Sequence, residues 1–139
     1  MKIYGRMISK GSISGDLLIS KHPISFFGMI DKNKGIIIDK DHDLYNQSIK
    51  NKILLFPNGC GSTVGSYIIY QLKKNNVAPL GIINIKCDTI IAIGAIMSNI
   101  PVIDSLSENP YLLLHNGDYI KIDGDNSLID ITSKKISSN

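Results

Sequence analysis

The chain has 139 residues, 43% of them hydrophobic and 19% charged, with a formal net charge of +3. These values fit one globular domain and exclude a disordered chain, and no apolar run reaches the ~18 residues of a membrane span. Isoleucine alone supplies 27 residues, and a β-branched excess of that size favours sheet over a helical bundle.

In chain order, Lys2–Ser9 and Ser14–Ser20 alternate and read as strands, with Lys10–Ile13 as the turn between them. Gly5, Gly11 and Gly15 mark bends or bulges at a barrel-like corner. Lys21–Lys34 reads as a long ordered loop, because Pro23, Gly28 and Asn33 alternate with apolar Ile24, Phe26, Phe27 and Ile30. Gly35–Asp39 is a short strand, and Lys40–Lys50 is a polar surface stretch.

Lys52–Phe56 is a buried-type strand, followed by the turn Pro57-Asn58-Gly59-Cys60-Gly61. Ser62 and Thr63 are good N-cap residues for a helix running through Val64, Tyr67, Ile68 and Leu72. Lys73 and Lys74 suit its C-terminus, and Asn75 suits a left-handed closing residue. Leu80–Ile85 is a second buried-type strand, so the unit implies a crossover onto a parallel neighbour.

Asp88 or Thr89 caps a short helix to about Ser98, with strand as the competing reading of so Ile-rich a stretch. Pro101–Asp104, Gly117–Ile122 and Leu128–Ile131 are short strands, the last two joined by a hairpin turn at Gly124-Asp125-Asn126. The polar tail 132–139 reads as frayed, leaving 1–131 as one α/β domain with more strand than helix.

Chemistry concentrates at the turn 57–66. Its glycines permit close backbone approach to a ligand, and a helix N-terminus offers unpaired amides with a partial positive charge. The same amides lower the cost of a serine alkoxide, which lets such a serine act as a base. A Walker loop is excluded for want of a lysine, and the third glycine of a dinucleotide fingerprint falls one place late, at Gly65. From these residues alone, a purely structural turn and a substrate loop remain equally open.

Lys86 follows the second buried strand and is a candidate ligand contact, since open α/β sheets bind beyond strand C-termini. Cys60 and Cys87 are too few for a structural zinc or an iron–sulfur cluster, and no histidines are spaced as a ligand pair. The lysines are scattered and the six Tyr and three Phe form no periodic platform, so no nucleic-acid surface is expected. The N-terminus shows no signal-peptide core, which makes a cytoplasmic protein the expectation.

Two blocks, Ser25-Phe26-Phe27-Gly28-Met29-Ile30-Asp31 followed by Gly35, and Phe56-Pro57-Asn58-Gly59-Cys60-Gly61-Ser62-Thr63-Val64-Gly65-Ser66-Tyr67, resemble the aconitase X swivelling-domain family. Asn76–Pro79, Ile83–Lys86 and Thr89–Ala95 leading to Ile100-Pro101 extend the likeness over roughly Lys2 to Ile131. The resemblance implies a swivelling β/β/α domain of the aconitase superfamily, acting as the freestanding small subunit of a hydro-lyase. It implies dehydration of (R)-5-phosphomevalonate to trans-anhydromevalonate 5-phosphate, in the archaeal mevalonate route to isoprenoids.

It further implies a heterodimer or higher assembly with a large subunit that carries the iron–sulfur cluster, of the 4Fe-4S kind, whose iron acts as a Lewis acid on the leaving hydroxyl. This chain then holds no cofactor and no metal. The family's proton acceptor falls on Ser62, and Gly61, Thr63, Ser66 and Lys86 become candidate substrate contacts. Two alternatives stay open: a related dehydratase for another hydroxy acid such as cis-3-hydroxyproline, and a non-catalytic ligand-binding or regulatory subunit.

Overall fold

Isoleucine-rich alternation produces ten strands, which the computed structural model describes together with four helices over residues 1–135. In chain order they are β1 (Lys2–Tyr4), β2 (Arg6–Ser9), β3 (Ile13–Ile19), α1 (Phe26–Met29, a kinked turn with non-helical backbone at Phe27 and Gly28), β4 (Ile30–Asp31), β5 (Ile36–Ile37), β6 (Lys52–Phe56) and α2 (Gly65–Lys74). The second half adds β7 (Gly81–Asn84), α3 (Thr89–Met97), β8 (Val102–Asp104), α4 (Pro110–Leu113), β9 (Tyr119–Asp123) and β10 (Leu128–Ser133).

Eight strands form one sheet in the order β1-β10-β9-β3-β6-β7-β8-β2. The segment β3-β6-β7-β8 is parallel and the remaining pairings are antiparallel. β1 and β2 stand at opposite ends of that order yet are consecutive in the chain, joined at Gly5. The first strand therefore binds both edges and closes the sheet, which removes the exposed edges that invite aggregation. A Cβ at Gly5 would lie 2.7 Å from the Asp104 carbonyl oxygen, so the crossing needs a residue without one. Although only Lys10–Ser12 separates β2 from β3, the two do not pair with each other.

Alternation sends side chains into two cores. Ile53 and Leu55 of β6 point into a cluster with Ile3, Leu17, Ile83, Ile103, Ile122 and Ile129 inside the curved sheet. Leu54 and Phe56 point the other way, toward Phe26, Ile69, Leu72, Ile91 and Ala95 beneath α1, α2 and α3. Buried on both faces, β6 reads as a continuous apolar run, as parallel central strands do.

Helix α2 starts at Gly65 with Val64 as its N-cap, so Ser62 and Thr63 lie before the helix and do not cap it. The left-handed residue after α2 is Asn76 (φ +58°), while Asn75 has φ −85°. The Gly35–Asp39 strand shrinks to Ile36–Ile37, paired with Ile30–Asp31 in a ribbon inside the stretch read as loop. Helix α4 was not expected at all; Asn109 caps it by accepting from the Tyr111 amide, with Pro110 at its first turn.

The 88–98 stretch resolves as helix, because the Asp88 carboxylate accepts from the Ile90 and Ile91 amides. β10 runs on to Ser133, beyond the expected start of the tail. Asp118 accepts from the Lys135 amide and from Lys134 Nζ, each at 2.8 Å. The rest of the tail, 136–139, lies outside the described residues.

Candidate functional site

The parallel strands β6 and β7 both end beneath the glycine-rich turn. The Pro57 carbonyl accepts from the Ile85 and Lys86 amides at 3.1 and 3.3 Å. Asn84, fully buried at the end of β7, donates Nδ2 to the Phe56 carbonyl at 3.0 Å. The turn itself is then tied on three sides. Ile24 donates its amide to Asn58, Cys60 donates to Ile24, both at 3.2 Å, and the Gly59 amide donates to Asp88 Oδ1 at 2.7 Å.

Asp88 therefore does two things with one carboxylate. Oδ1 holds the base of the turn, and Oδ2 accepts from the first amides of α3. The segment leading to Ile24 is fixed in turn by Asp43, which accepts from Ser20 Oγ at 2.7 Å and from the Lys21 amide at 2.8 Å.

Beyond this rigid base the loop tip stands free. Gly61 (φ +80°) turns the chain outward, in a conformation that L residues avoid. A Cβ at this position would collide with Ser25 Oγ, so Ser25 fills the space that glycine leaves. Ser62, Thr63 and Val64 are exposed. Three successive bonds, Gly65 N to Ser62 O, Ser66 N to Thr63 O and Tyr67 N to Val64 O, wind this stretch as a tight turn that becomes α2.

Ser62 Oγ accepts from the Val64 amide at 3.2 Å. The amides of Gly61, Ser62 and Thr63 have no hydrogen-bond partner among the described residues. A hydroxyl beside three free N–H groups at the positive end of a ten-residue helix can bind an anion, and an oxygen there carries negative charge at reduced cost.

Thus the structure brings Gly61, Ser62 and Thr63 together at one exposed tip. Ser66 stands apart from them: its hydroxyl donates to the Ile90 carbonyl at 2.6 Å, which ties α2 to α3 and leaves it no proton for a ligand. Lys86 is exposed next to the turn's base, held there through its backbone. Ser25 and the loop-anchoring role of Asp88 escaped sequence reasoning. The helix-cap position of Asp88 was the only local signal, and neither Ser25 nor Gly59 is its neighbour in the chain.

The thiols are protonated at neutral pH. Burial, reinforced by Asp88 and Asp104 and only partly offset by Arg6, pushes Cys87 up to about 12. Burial and Asp88 likewise raise Cys60. Among the described residues, no three histidine, cysteine or acidic side chains gather as a metal-holding group. Two cysteines are too small a donor set for an iron–sulfur cluster, which takes three or four thiolates.

A closed β/α barrel with helices on one side and a serine-tipped loop at the C-terminal end of its parallel strands defines a swivelling-domain protein. The profile of the aconitase X swivel domain matches residues 2–131, and the chain belongs to that family. It is 47% identical to the phosphomevalonate dehydratase small subunit of Methanosarcina acetivorans, over 97% of this chain and 94% of that one. The protein of the same name in Methanocaldococcus jannaschii is also 47% identical, with 96% and 100% covered. The crystal structure of holo aconitase X from Thermococcus kodakaraensis superposes with a TM-score of 0.90 at 44% identity, covering 96% of this chain and 99% of that one.

Proposed function

We propose that this chain is the small subunit of a cytoplasmic hydro-lyase of the mevalonate route, which converts (R)-5-phosphomevalonate to trans-anhydromevalonate 5-phosphate. It works with a large subunit, and Ser62 is the proton acceptor. The observation that carries this reading is the loop tip: an exposed serine on a rigid base, in a chain that aligns end to end with proteins named as small subunits of that enzyme.

The chemistry follows from the geometry. Dehydration removes a proton from the carbon next to the carboxylate, and the electron pair left behind forms the double bond as the hydroxyl on the adjacent carbon departs. Ser62 Oγ takes the proton. An alkoxide at that atom is stabilised by the Val64 amide already donating to it and by the end of α2. The free amides of Gly61 and Thr63, with the Thr63 hydroxyl and Lys86, suit an anionic group of the substrate.

Since two cysteines are too few for an iron–sulfur cluster, we assign the cluster to the large subunit and route no step through this chain's cysteines. Closure of the small subunit over the site on the large subunit excludes water, which strengthens each of these interactions.

The test is reconstitution with the large subunit under anaerobic conditions, followed by an assay for phosphomevalonate dehydration. The wild-type chain turns substrate over only in the pair. Ser62→Ala binds the large subunit normally and loses roughly a hundred- to ten-thousand-fold in kcat. Turnover of a different hydroxy acid would change the substrate, and near-normal rates in Ser62→Ala would remove the serine from the mechanism.

A further inference from the structure

Helix α3 has a composition at odds with its position. Its sequence, TIIAIGAIM, carries no charged residue, and a helix apolar on every side belongs in a buried setting. Yet only one side is covered, by Ile91, Gly94 and Ala95 on the core. Ile93, Ile96 and Met97 face outward, each at least half exposed.

This face does not stand alone. Gly94 lets α3 lie against α2 so closely that a Cβ there would sit 2.8 Å from Ile69 Cδ1 and 3.0 Å from the Ser66 carbonyl oxygen. Gly65 at the start of α2 lies next to both Ile90 and the Phe27 backbone. The three elements therefore adjoin, and beside α3 they expose Phe27, Val64 and Tyr67, each 45–53% exposed, with Val64 next to the Ser62 tip. Six half-exposed large side chains present on the order of 600 Å² of apolar surface. That is the upper end of the roughly 300–600 Å² spanned by the largest patch of a typical monomer, a size that is often functional, and a stable interface takes about 800 Å² from each partner.

We propose that the outer face of α3, continuous with Phe27, Val64 and Tyr67, is the surface on which the large subunit docks. This rests on the functional reading above. A patch that borders the loop tip at Val64, two residues from Ser62, places its occupant beside the point where Ser62 must meet substrate, whereas a second copy of this chain seated there would cover the tip and block it. The partner surface is accordingly apolar, with its charged groups outside the seam.

The experiment measures binding without activity. The full-length chain is titrated with purified large subunit by calorimetry, comparing wild type with Ile96→Glu, with Ile93→Lys and, at an exposed residue of α4 outside that set, with Leu112→Glu. Melting curves establish that each variant folds. The expected result is a tenfold or greater rise in Kd for Ile96→Glu and Ile93→Lys, with Leu112→Glu unchanged. At saturating large subunit, kcat of the two patch variants stays within about twofold of wild type, the split expected for a docking defect.

Wild-type Kd in both patch variants overturns the proposal. So does a wild-type chain that is dimeric by light scattering and becomes monomeric on Ile96→Glu, since a second copy would then be the occupant. Tight, patch-dependent binding without dehydration of phosphomevalonate would keep the docking surface and sink the functional reading instead.

Discussion

Ser62 has little to hold it except its own loop, and that is why Gly61 and Ser25 matter. Gly61 sits at φ +80°, and the space beside its Cα is occupied by Ser25 Oγ, which donates to the Phe27 carbonyl at 2.9 Å. Gly61→Ala adds left-handed strain of about 1–2 kcal/mol and a clash with Ser25, both at a solvent-facing tip. The loop moves in response, and a displacement near 1 Å costs roughly a hundredfold in rate. We expect kcat of the reconstituted enzyme to fall by at least tenfold while the melting temperature shifts by only a few degrees. Ser25→Ala in the same chain should recover part of the rate. Kinetics of the single and double variants check this; an unchanged rate in Gly61→Ala would show that the tip tolerates displacement.

At the scale of elements, the site depends on how α2 and α3 meet. Ser66 donates to the Ile90 carbonyl, Asp88 joins the turn to the first amides of α3, and Gly94 allows the close crossing. Gly94→Ala improves helix propensity by roughly 1 kcal/mol, but the added methyl meets Ile69, which is fully buried and cannot withdraw. Overpacking of this kind costs about 1–3 kcal/mol, so the sign of the outcome is destabilisation. Urea denaturation of the isolated chain should show a lower midpoint with an unchanged slope. A rise in the midpoint would mean that the two helices part without cost.

The whole molecule is closed by β1 and β2, and buried carboxylates sit at its seams. Burial works against the Asp104 carboxylate, but the Arg6 guanidinium, bonded at 3.0 and 2.9 Å, and the Cys87 amide hold its pKa below the usual range. Asp118 is buried likewise and is held low by Lys134 and by the Lys135 and His115 amides. A depressed carboxylate stabilises the fold above its unfolded pKa, near 4, and that stability is lost as pH falls through the folded value. We therefore expect a melting temperature that is level from pH 7 to about 5 and drops below about 4. In Asp118→Asn the neutral-pH value is lower and the acid drop shallower. An equally steep drop in that variant would assign acid lability elsewhere.

What the sequence determined by itself is local. Short apolar runs at Lys52–Phe56 and near Ile82, bounded by turn residues, read as buried strands, and the glycines and hydroxyls of 57–66 read as a turn before a helix. The match of its blocks to the aconitase X swivel domain carried the fold and the candidate serine with them. Tertiary structure decided what depends on distant chain segments. The α2 boundary moved past Ser62 and Thr63 because a left-handed Gly61 and a tight turn precede the helix. Ser66 faced α3 instead of the tip because helix packing set its direction. Ser25 and Asp88 became parts of the site only because β3, β6 and β7 end at the same rim, a juxtaposition that strand pairing creates and no local pattern encodes.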